Sequence, residues 1–218
     1  MAGLRNCVTA MALTLAVPLS AAADSSITGF LDVLKQVCTT PGFALKQRVA
    51  VLNGWRMAGD SERKNLLRAL GEADAKGRAA LGLIASDEVA EWQEAVAAGV
   101  TREIGSPDDD PAGAARILMH PEANGVAVLL RHSGSARFEQ TSCELLLAGP
   151  TQSVVAELTG YLSLFPMHQS QGARVWSAAS SRQGDTGHRI DGRRLVLLMD
   201  GDRVKVAVLG LNMQLMKQ

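Results

Sequence analysis

The sequence LVLLMDGDRVKVAVLGL, residues 195–211, contains two runs of strand-forming residues on either side of an Asp-Gly pair. The runs are Leu195–Met199 and Val204–Leu211, and Asp200-Gly201-Asp202 lies between them. An Asp-Gly turn flanked by two such runs is a strong short-range signal for a β-hairpin. The C-terminal end of the chain is therefore predicted to form two antiparallel strands.

Further strands are predicted upstream of this hairpin, where short apolar runs follow turn-like residues. In one of them Cys143, Leu145 and Leu147 fall on one side of a period-2 pattern, which is typical of a strand with one buried face. The segment at 116–119 has a short helix as its alternative. The polar stretch Ser180–His188 is predicted to be a loop. The predicted strands are Arg116–Met119, Val126–Arg131, Phe138–Leu147 and Arg174–Ala178.

One helix is predicted between these two groups of strands. It begins at Gly149-Pro150-Thr151 and ends at Pro166, which cannot continue a helix. Its apolar side chains form one stripe that is suited to covering a sheet. The stripe consists of Val154, Val155, Leu158, Tyr161, Leu162 and Phe165.

The first hundred residues show helical rather than strand periodicity. Residues 27–38 carry apolar side chains at helical spacing, with Ser25 or Ser26 as the cap. A second helix is predicted from Gly42 or Phe43 to Leu52, and Trp55 is expected to pack back on this pair. The apolar positions of the first helix are Ile27, Phe30, Leu31, Leu34, Val37 and Cys38.

Two more helices are predicted before residue 105. The third begins at Asp60 or Ser61, and Gly71 and Gly77 are expected to weaken its end. A separate short helical piece is predicted over Ala79–Ile84. The fourth helix is capped by Ser86 and is expected to stop near Gly99.

Helices first and strands later indicate an α+β fold with a mainly antiparallel sheet covered by one helix. A helical subregion spans 24–104, the loop 105–113 follows, and a sheet-rich subregion spans 114–218. Residues 24–218 are predicted to form a single domain, and a domain boundary at 105–113 is the alternative.

The first 23 residues match a secretory signal peptide. Arg5 provides the positive start, Val8–Leu19 is apolar, and Ala21-Ala22-Ala23 forms the small-residue exit. The predicted cleavage site lies between Ala23 and Asp24. The apolar stretch has about 12 residues, fewer than the roughly 20 that span a bilayer, which disfavours an uncleaved anchor. We therefore expect a soluble periplasmic or secreted protein without a membrane span after signal removal.

Composition narrows the classes of partner. The predicted mature chain holds 21 basic and 22 acidic residues, so its net charge is −1. A nearly neutral chain lacks the broad positive field that holds nucleic acid or an anionic membrane, and no nucleic-acid partner is expected. The excess of Arg over Lys and the abundance of Ala are typical of GC-rich bacterial genomes.

Two cysteines remain after the predicted cleavage. Cys38 and Cys143 lie 105 positions apart and most simply form one disulfide in an oxidising compartment. Two separate buried thiols are the alternative, because free Cys is among the most buried residue types. No C-x-x-C pair indicates thiol redox chemistry.

Each short motif that resembles a catalytic or metal-binding signature lacks its supporting residues. Asp185-Thr186-Gly187 occurs once and between polar neighbours, whereas aspartic proteases need two carboxylates. Ser61–Lys64 fits Ser-x-x-Lys without the accompanying motifs. Asp108–Asp110 fails as an EF-hand loop because Ala112 and Met119 occupy ligand positions. No cofactor and no metal are therefore predicted, and the catalytic residues stay unknown.

The leading hypothesis is a non-catalytic binding or accessory protein of the bacterial cell envelope. Its partner would be another envelope protein or a small ligand. A hydrolase-type enzyme assembled from sequence-distant residues is the main alternative. Its site would lie near His120, His132, Asp185 and His188, because sites gather in loops beside a sheet. A stress or stability factor without its own ligand is the third possibility.

Overall fold

A computed structural model of the chain describes residues 27–162, 165, 167–170, 172–185 and 187–217. The predicted signal segment 1–23, its cleavage site at Ala23 and Asp24, and the caps at Ser25 and Ser26 lie outside these residues. The helices are α1 (Ile27–Thr39), α2 (Leu45–Val51), α3 (Asp60–Ala80), α4 (Val89–Ile104, preceded by a 3-10 turn at Ser86–Glu88) and α5 (Gln152–Tyr161). The strands are β1 (Arg56–Met57), β2 (Ala114–Met119), β3 (Val126–Gly134), β4 (Phe138–Ala148), β5 (Met167–Ser170), β6 (Ala173–Gly184), β7 (Gly187–Asp200) and β8 (Arg203–Lys217).

The strands form one antiparallel sheet in the order β1-β2-β3-β4-β8-β7-β6-β5. The predicted hairpin of residues 195–211 is confirmed as β7 and β8, and Gly201 in its turn has the positive φ of 58° that an Asp-Gly turn uses. Because β8 also pairs with β4, this hairpin lies in the middle of the sheet. The chain is thus α+β with an antiparallel sheet, as its pattern predicts.

Both faces of the sheet are covered by helices, so the expectation of a single covering helix is wrong. Four consecutive residues are buried in β7, Leu195–Leu198, and four in β8, Val206–Leu209. Successive side chains of a strand point to opposite faces, so such runs require an apolar layer on each side. One face, called here the first face, packs against α1, α2 and α5, and the second face packs against α3 and α4.

The helical N-terminal half is not supported in the form expected. Residues 1–26 are outside the described part, and β1 interrupts the helices at Arg56–Met57 to pair with β2 at the far edge of the sheet. Segment 116–119 is the predicted strand rather than the alternative helix. Trp55 packs on the first helix as expected, with its ring stacked on Phe30 at 5.1 Å.

Helix α4 does not stop at Gly99, contrary to expectation, and α3 extends past the two glycines that were expected to weaken its end. Helix α3 continues through Gly71 and Gly77 to Ala80, so no separate piece forms over Ala79–Ile84, and α4 continues past Gly99. A Cβ atom on Gly71 would lie 2.8 Å from the carbonyl oxygen of Gln93 in α4. Gly71 therefore permits close packing of the two helices.

The predicted loop Ser180–His188 is instead a hairpin, because β6 continues to Gly184 and β7 begins at Gly187. Polar side chains do not prevent this pairing, which is made by backbone groups. A Cβ atom on Gly187 would lie 1.9 Å from the carbonyl oxygen of Met216. Only glycine allows β7 to begin so close to β8.

The predicted disulfide between Cys38 and Cys143 is present, with an S–S distance of 2.04 Å. It joins the end of α1 to the middle of β4, and both residues are fully buried. Residues 105–113 connect α4 to β2, and the hydrophobic layer on each face includes residues from both sides of this loop. No helix in the described part is long and apolar enough to cross a membrane.

Candidate functional site

The four residues proposed for an enzymatic site do not come together. His120 follows β2, where its ring packs edge-on against Trp55 at 5.0 Å. Its Nδ1 accepts hydrogen bonds from the backbone N–H groups of Glu122 and Ala123, at 3.2 and 2.9 Å. His120 therefore closes the turn before β3.

His132 lies at the opposite end of the β2–β3 ladder, paired with Ala114. Its Nδ1 is 3.0 Å from Oγ1 of Thr141 on β4. Burial, followed by the charge of Arg48, lowers the pKa of His132 below its ordinary 6.5, so the ring is neutral at pH 7.

Asp185 and His188 lie at the tip of the β6–β7 hairpin. Asp185 is exposed in the turn, and Nε2 of His188 is 2.6 Å from Oγ of Ser181 on β6. Across the described ranges, no three His, Cys, Asp or Glu side chains converge as metal ligands would. The enzymatic alternative thus loses the residues on which it was based.

Two buried charges on the first face satisfy each other. Arg48 is fully buried and contacts Glu139 on β4 at 3.1 Å. Its guanidinium also donates to the carbonyl oxygens of Val37, Thr40 and Phe43, and both carboxylate oxygens of Glu139 accept from Gly42 N–H at 3.0 Å. Burial lowers the pKa of Arg48 to about 10, against the opposing effect of Glu139. This pair ties the α1–α2 connection to the sheet.

A second group of charges lies on the other face of the sheet. Asp74 of α3 accepts hydrogen bonds from Arg194 on β7 at 2.6 Å and from Trp92 and Arg78 at 2.8 Å each. Burial favours the neutral acid, but the charge of Arg194 and these bonds hold the pKa of Asp74 below its usual value. The group attaches α3 and α4 to the sheet.

Glu144 on β4 lies beside the same cluster and 3.8 Å from Arg194. Gly210 on β8 pairs with both Glu144 and Arg194, and because it has no side chain it leaves the space between them open. Burial raises the pKa of Glu144, and the charges of Arg194 and Arg131 oppose that rise. Arg131 is itself held by two 2.6 Å hydrogen bonds to Glu103 of α4. Each cation here has an acidic partner within the fold.

Beyond α3 and α4, the second face continues as a polar surface. Ser142 pairs with Asn212, and Gln140 pairs with Gln214, so four uncharged polar side chains lie in two rows across β4 and β8. Oδ1 of Asn212 is buried without a hydrogen-bond partner. A shallow cavity of about 200 Å³ lies over the β3 end of these rows. Its lining combines polar side chains with the Arg131–Glu103 pair.

Among the described residues, one long edge of the sheet, the C-terminal part of β6, has no second strand partner. Strand β5 pairs only with Ala173–Trp176, and the remaining residues, Ser177–Gly184, pair with β7 alone. All but Ala178 are exposed, and no other described backbone group bonds to them. These eight residues form an edge of about 26 Å at 3.3 Å per residue.

Of the features that usually protect an edge strand, the described residues give this edge one charged side chain, Arg182. Natural sheets discourage additional strands with Pro, Lys, bulges or a covering loop. The sequence SAASSRQG at 177–184 contains neither Pro nor Lys, and its ladder with β7 has no register shift. Alternate residues point their N–H and C=O groups away from β7, so four residues offer both a donor and an acceptor.

Two arginines near this edge have no carboxylate partner among the described residues. Arg182 is exposed on β6, and Arg193 on β7 lies directly across from Ala178, with its guanidinium 5.4 Å from the Tyr161 ring. Arg189, opposite Arg182, is paired with Asp191 at 2.6 Å. The edge therefore has two positive side chains close to it that no described carboxylate neutralises, although the whole chain is neutral.

Sequence reasoning missed this edge because it assigned Ser180–His188 to a loop. Small polar residues do not alternate with apolar ones there, so the strand signal is missing. The Gly184 and Gly187 pair around Asp185 was the one turn signal that could have predicted a hairpin.

Comparison with protein-family models, curated proteins and solved structures finds no match to this chain.

Proposed function

We propose that this protein is a non-catalytic binding protein that takes up an extended segment of a partner protein as an additional strand beside β6. The observation that carries the proposal is the eight-residue edge Ser177–Gly184, which is regular, exposed at every residue except Ala178, and without a second strand partner among the described residues. Strand addition supplies affinity through main-chain hydrogen bonds, each worth about 0.5–1.5 kcal/mol net. Six of the eight residues of the edge are serine, alanine or glycine, so few bulky side chains border the incoming strand.

A site outside the cytoplasm fits this role. The fully buried disulfide favours an oxidising compartment, and the signal-like residues 1–23 favour export to the periplasm or the medium. We further infer that residues 24–218 form one domain, because both hydrophobic layers combine residues from before and after the loop 105–113. The partner is then a protein of the bacterial envelope.

The edge can be blocked without disturbing the hairpin by a proline at one of two neighbouring positions. Of Ala179 and Ser180, one directs its N–H to β7 and the other directs it outward. Proline is tolerated on an edge strand only where the N–H faces solvent. We therefore make both Ala179→Pro and Ser180→Pro. The variant that keeps the wild-type melting temperature has its proline at the outward-facing position, and it is called the edge-blocked variant.

Panning a random dodecapeptide phage library against wild type, with the edge-blocked variant as counter-selection, tests the proposal. The peptides recovered are expected to slow hydrogen exchange of the amides in 177–184 and to lose binding to the edge-blocked variant. Recovery of no such peptide, or protection elsewhere in the sheet, would overturn it. So would a wild-type dimer that the proline converts to a monomer, because the edge would then serve self-association.

A further inference from the structure

We infer that the partner strand carries two acidic residues four positions apart on one face. This inference rests on the proposed strand addition beside β6 and specifies the chemistry of the incoming segment. It follows from which side chains border the edge on the first face of the sheet, and from how far each of them reaches.

The side chains of Ala178, Ser180 and Arg182 lie on the first face. Trp176 belongs to the hydrophobic layer of that face, whereas Val175 belongs to the layer of the second face. Alternation along β6 then places every second residue after Trp176 on the first face. Residues that pair across two strands share a face, so Arg193, opposite Ala178, lies there as well.

Arg182 and Arg193 are therefore two positive groups that a strand beside β6 can reach. Arg182 is on the edge itself and contacts the strand residue opposite it. Arg193 is one strand further away and pairs with Ala178, whose side chain is a single methyl group. A glutamate opposite Ala178 and a second acid opposite Arg182 are four residues apart, in either strand direction.

An acidic foreign strand is favoured over a second copy of this chain. The segment 177–184 contains no Asp or Glu, so a second β6 edge would add another Arg182 and supply no counter-charge. On the second face, Ser177, Ala179, Ser181 and Gln183 are uncharged, so acids on that side of the partner would find no cation on β6. We therefore expect both acidic residues of the partner strand to lie on the first face of the sheet.

Three threonine-based dodecapeptides test the inference. The first has glutamate at positions 4 and 8, the second has glutamate at positions 4 and 7, and the third has glutamine at positions 4 and 8. The second peptide has the charge of the first but places its acids on opposite faces. The 4,8-glutamate peptide is expected to bind about tenfold more tightly than either of the others at low salt, and to lose this advantage at high salt.

The protein variants are Arg182→Gln and Arg193→Gln, each expected to lose about threefold of that preference. Lys64→Gln, an exposed charge on α3 near the β1 end of the sheet, is the matched control and is expected to change nothing. Equal binding of the three peptides with protection of 177–184 would overturn this inference and leave strand addition standing. Binding without protection of 177–184 would overturn both, and no binding by the 4,8-glutamate peptide would overturn the inference.

Discussion

At the scale of single residues, Arg48 shows how a fully buried charge is accommodated. Its guanidinium satisfies carbonyl oxygens at the end of α1 and in the α1–α2 connection, and Glu139 neutralises its charge. Lys217 adds a further contact to Glu139 at 3.6 Å. A buried pair of this kind contributes little relative to apolar residues of the same volume, but the loss of either partner leaves an uncompensated charge.

Glu139→Gln is expected to lower the free energy of unfolding by about 3–5 kcal/mol, because it leaves the buried charge of Arg48 without its partner. Arg48→Met is expected to cost less, because Lys217 remains 3.6 Å from Glu139. The double variant Arg48→Met/Glu139→Gln is expected to be less destabilised than the sum of the two single changes. Urea unfolding followed by circular dichroism measures all four proteins. Strictly additive losses would show that the two side chains do not stabilise each other.

At the scale of elements, the contact between α3 and α4 depends on a missing side chain. Gly71 faces the backbone of Gln93 so closely that even a methyl group must displace one helix. Gly99, in the middle of α4, has no atom within 4 Å of its would-be Cβ. The two glycines are therefore a matched pair, one required by packing and one replaceable.

Gly71→Ala is expected to cost about 1–3 kcal/mol of stability, because the added methyl group overpacks the helix contact. Gly99→Ala is expected to stabilise the protein by about 0.5–1 kcal/mol, because alanine has the better helix propensity and meets no clash. Thermal unfolding of both variants beside wild type measures this difference. Similar losses in the two variants would contradict the assignment of Gly71 to close packing.

At the scale of the whole molecule, one covalent bond connects the helical layer of the first face to the sheet. The disulfide joins α1 to β4 across 105 positions of sequence, and it therefore restricts about half of the unfolded chain. In the chain-entropy model a loop of this size is worth about 4–5 kcal/mol. Both sulfurs are buried, so a reductant reaches them only when the protein opens.

The double variant Cys38→Ala/Cys143→Ala is expected to unfold at a clearly lower urea concentration, by a loss approaching about 4–5 kcal/mol. Dithiothreitol is expected to shift the midpoint of wild type toward that of the variant and to leave the variant itself unchanged. A thiol assay in denaturant without reductant, on protein that lacks residues 1–23 and hence Cys7, is expected to detect no free cysteine. An unchanged midpoint in the variant would refute this role of the crosslink.

Local sequence patterns determined the elements of this protein wherever periodicity was strong. The Asp-Gly hairpin, the helix at Ile27–Thr39 and the pairing of Cys38 with Cys143 follow from turn chemistry, helical spacing and cysteine count. Turn chemistry and helical spacing are local signals, and the disulfide follows from the presence of two cysteines in the predicted mature chain. None of these predictions requires knowledge of which residues are neighbours in space. The α+β class followed from them in the same way.

Only the tertiary structure decided which faces are covered and which edge is open. The consecutive buried residues of Leu195–Leu198 require two layers, but only the packing of α3 and α4 shows what supplies the second one. The strand character of Ser180–Gly184 comes from pairing with β7, because its small polar side chains carry no periodic signal. An unpaired edge is a property of the whole sheet, and it exists among the described residues because β5 begins at Met167, opposite Trp176, and so pairs with only the first four residues of β6.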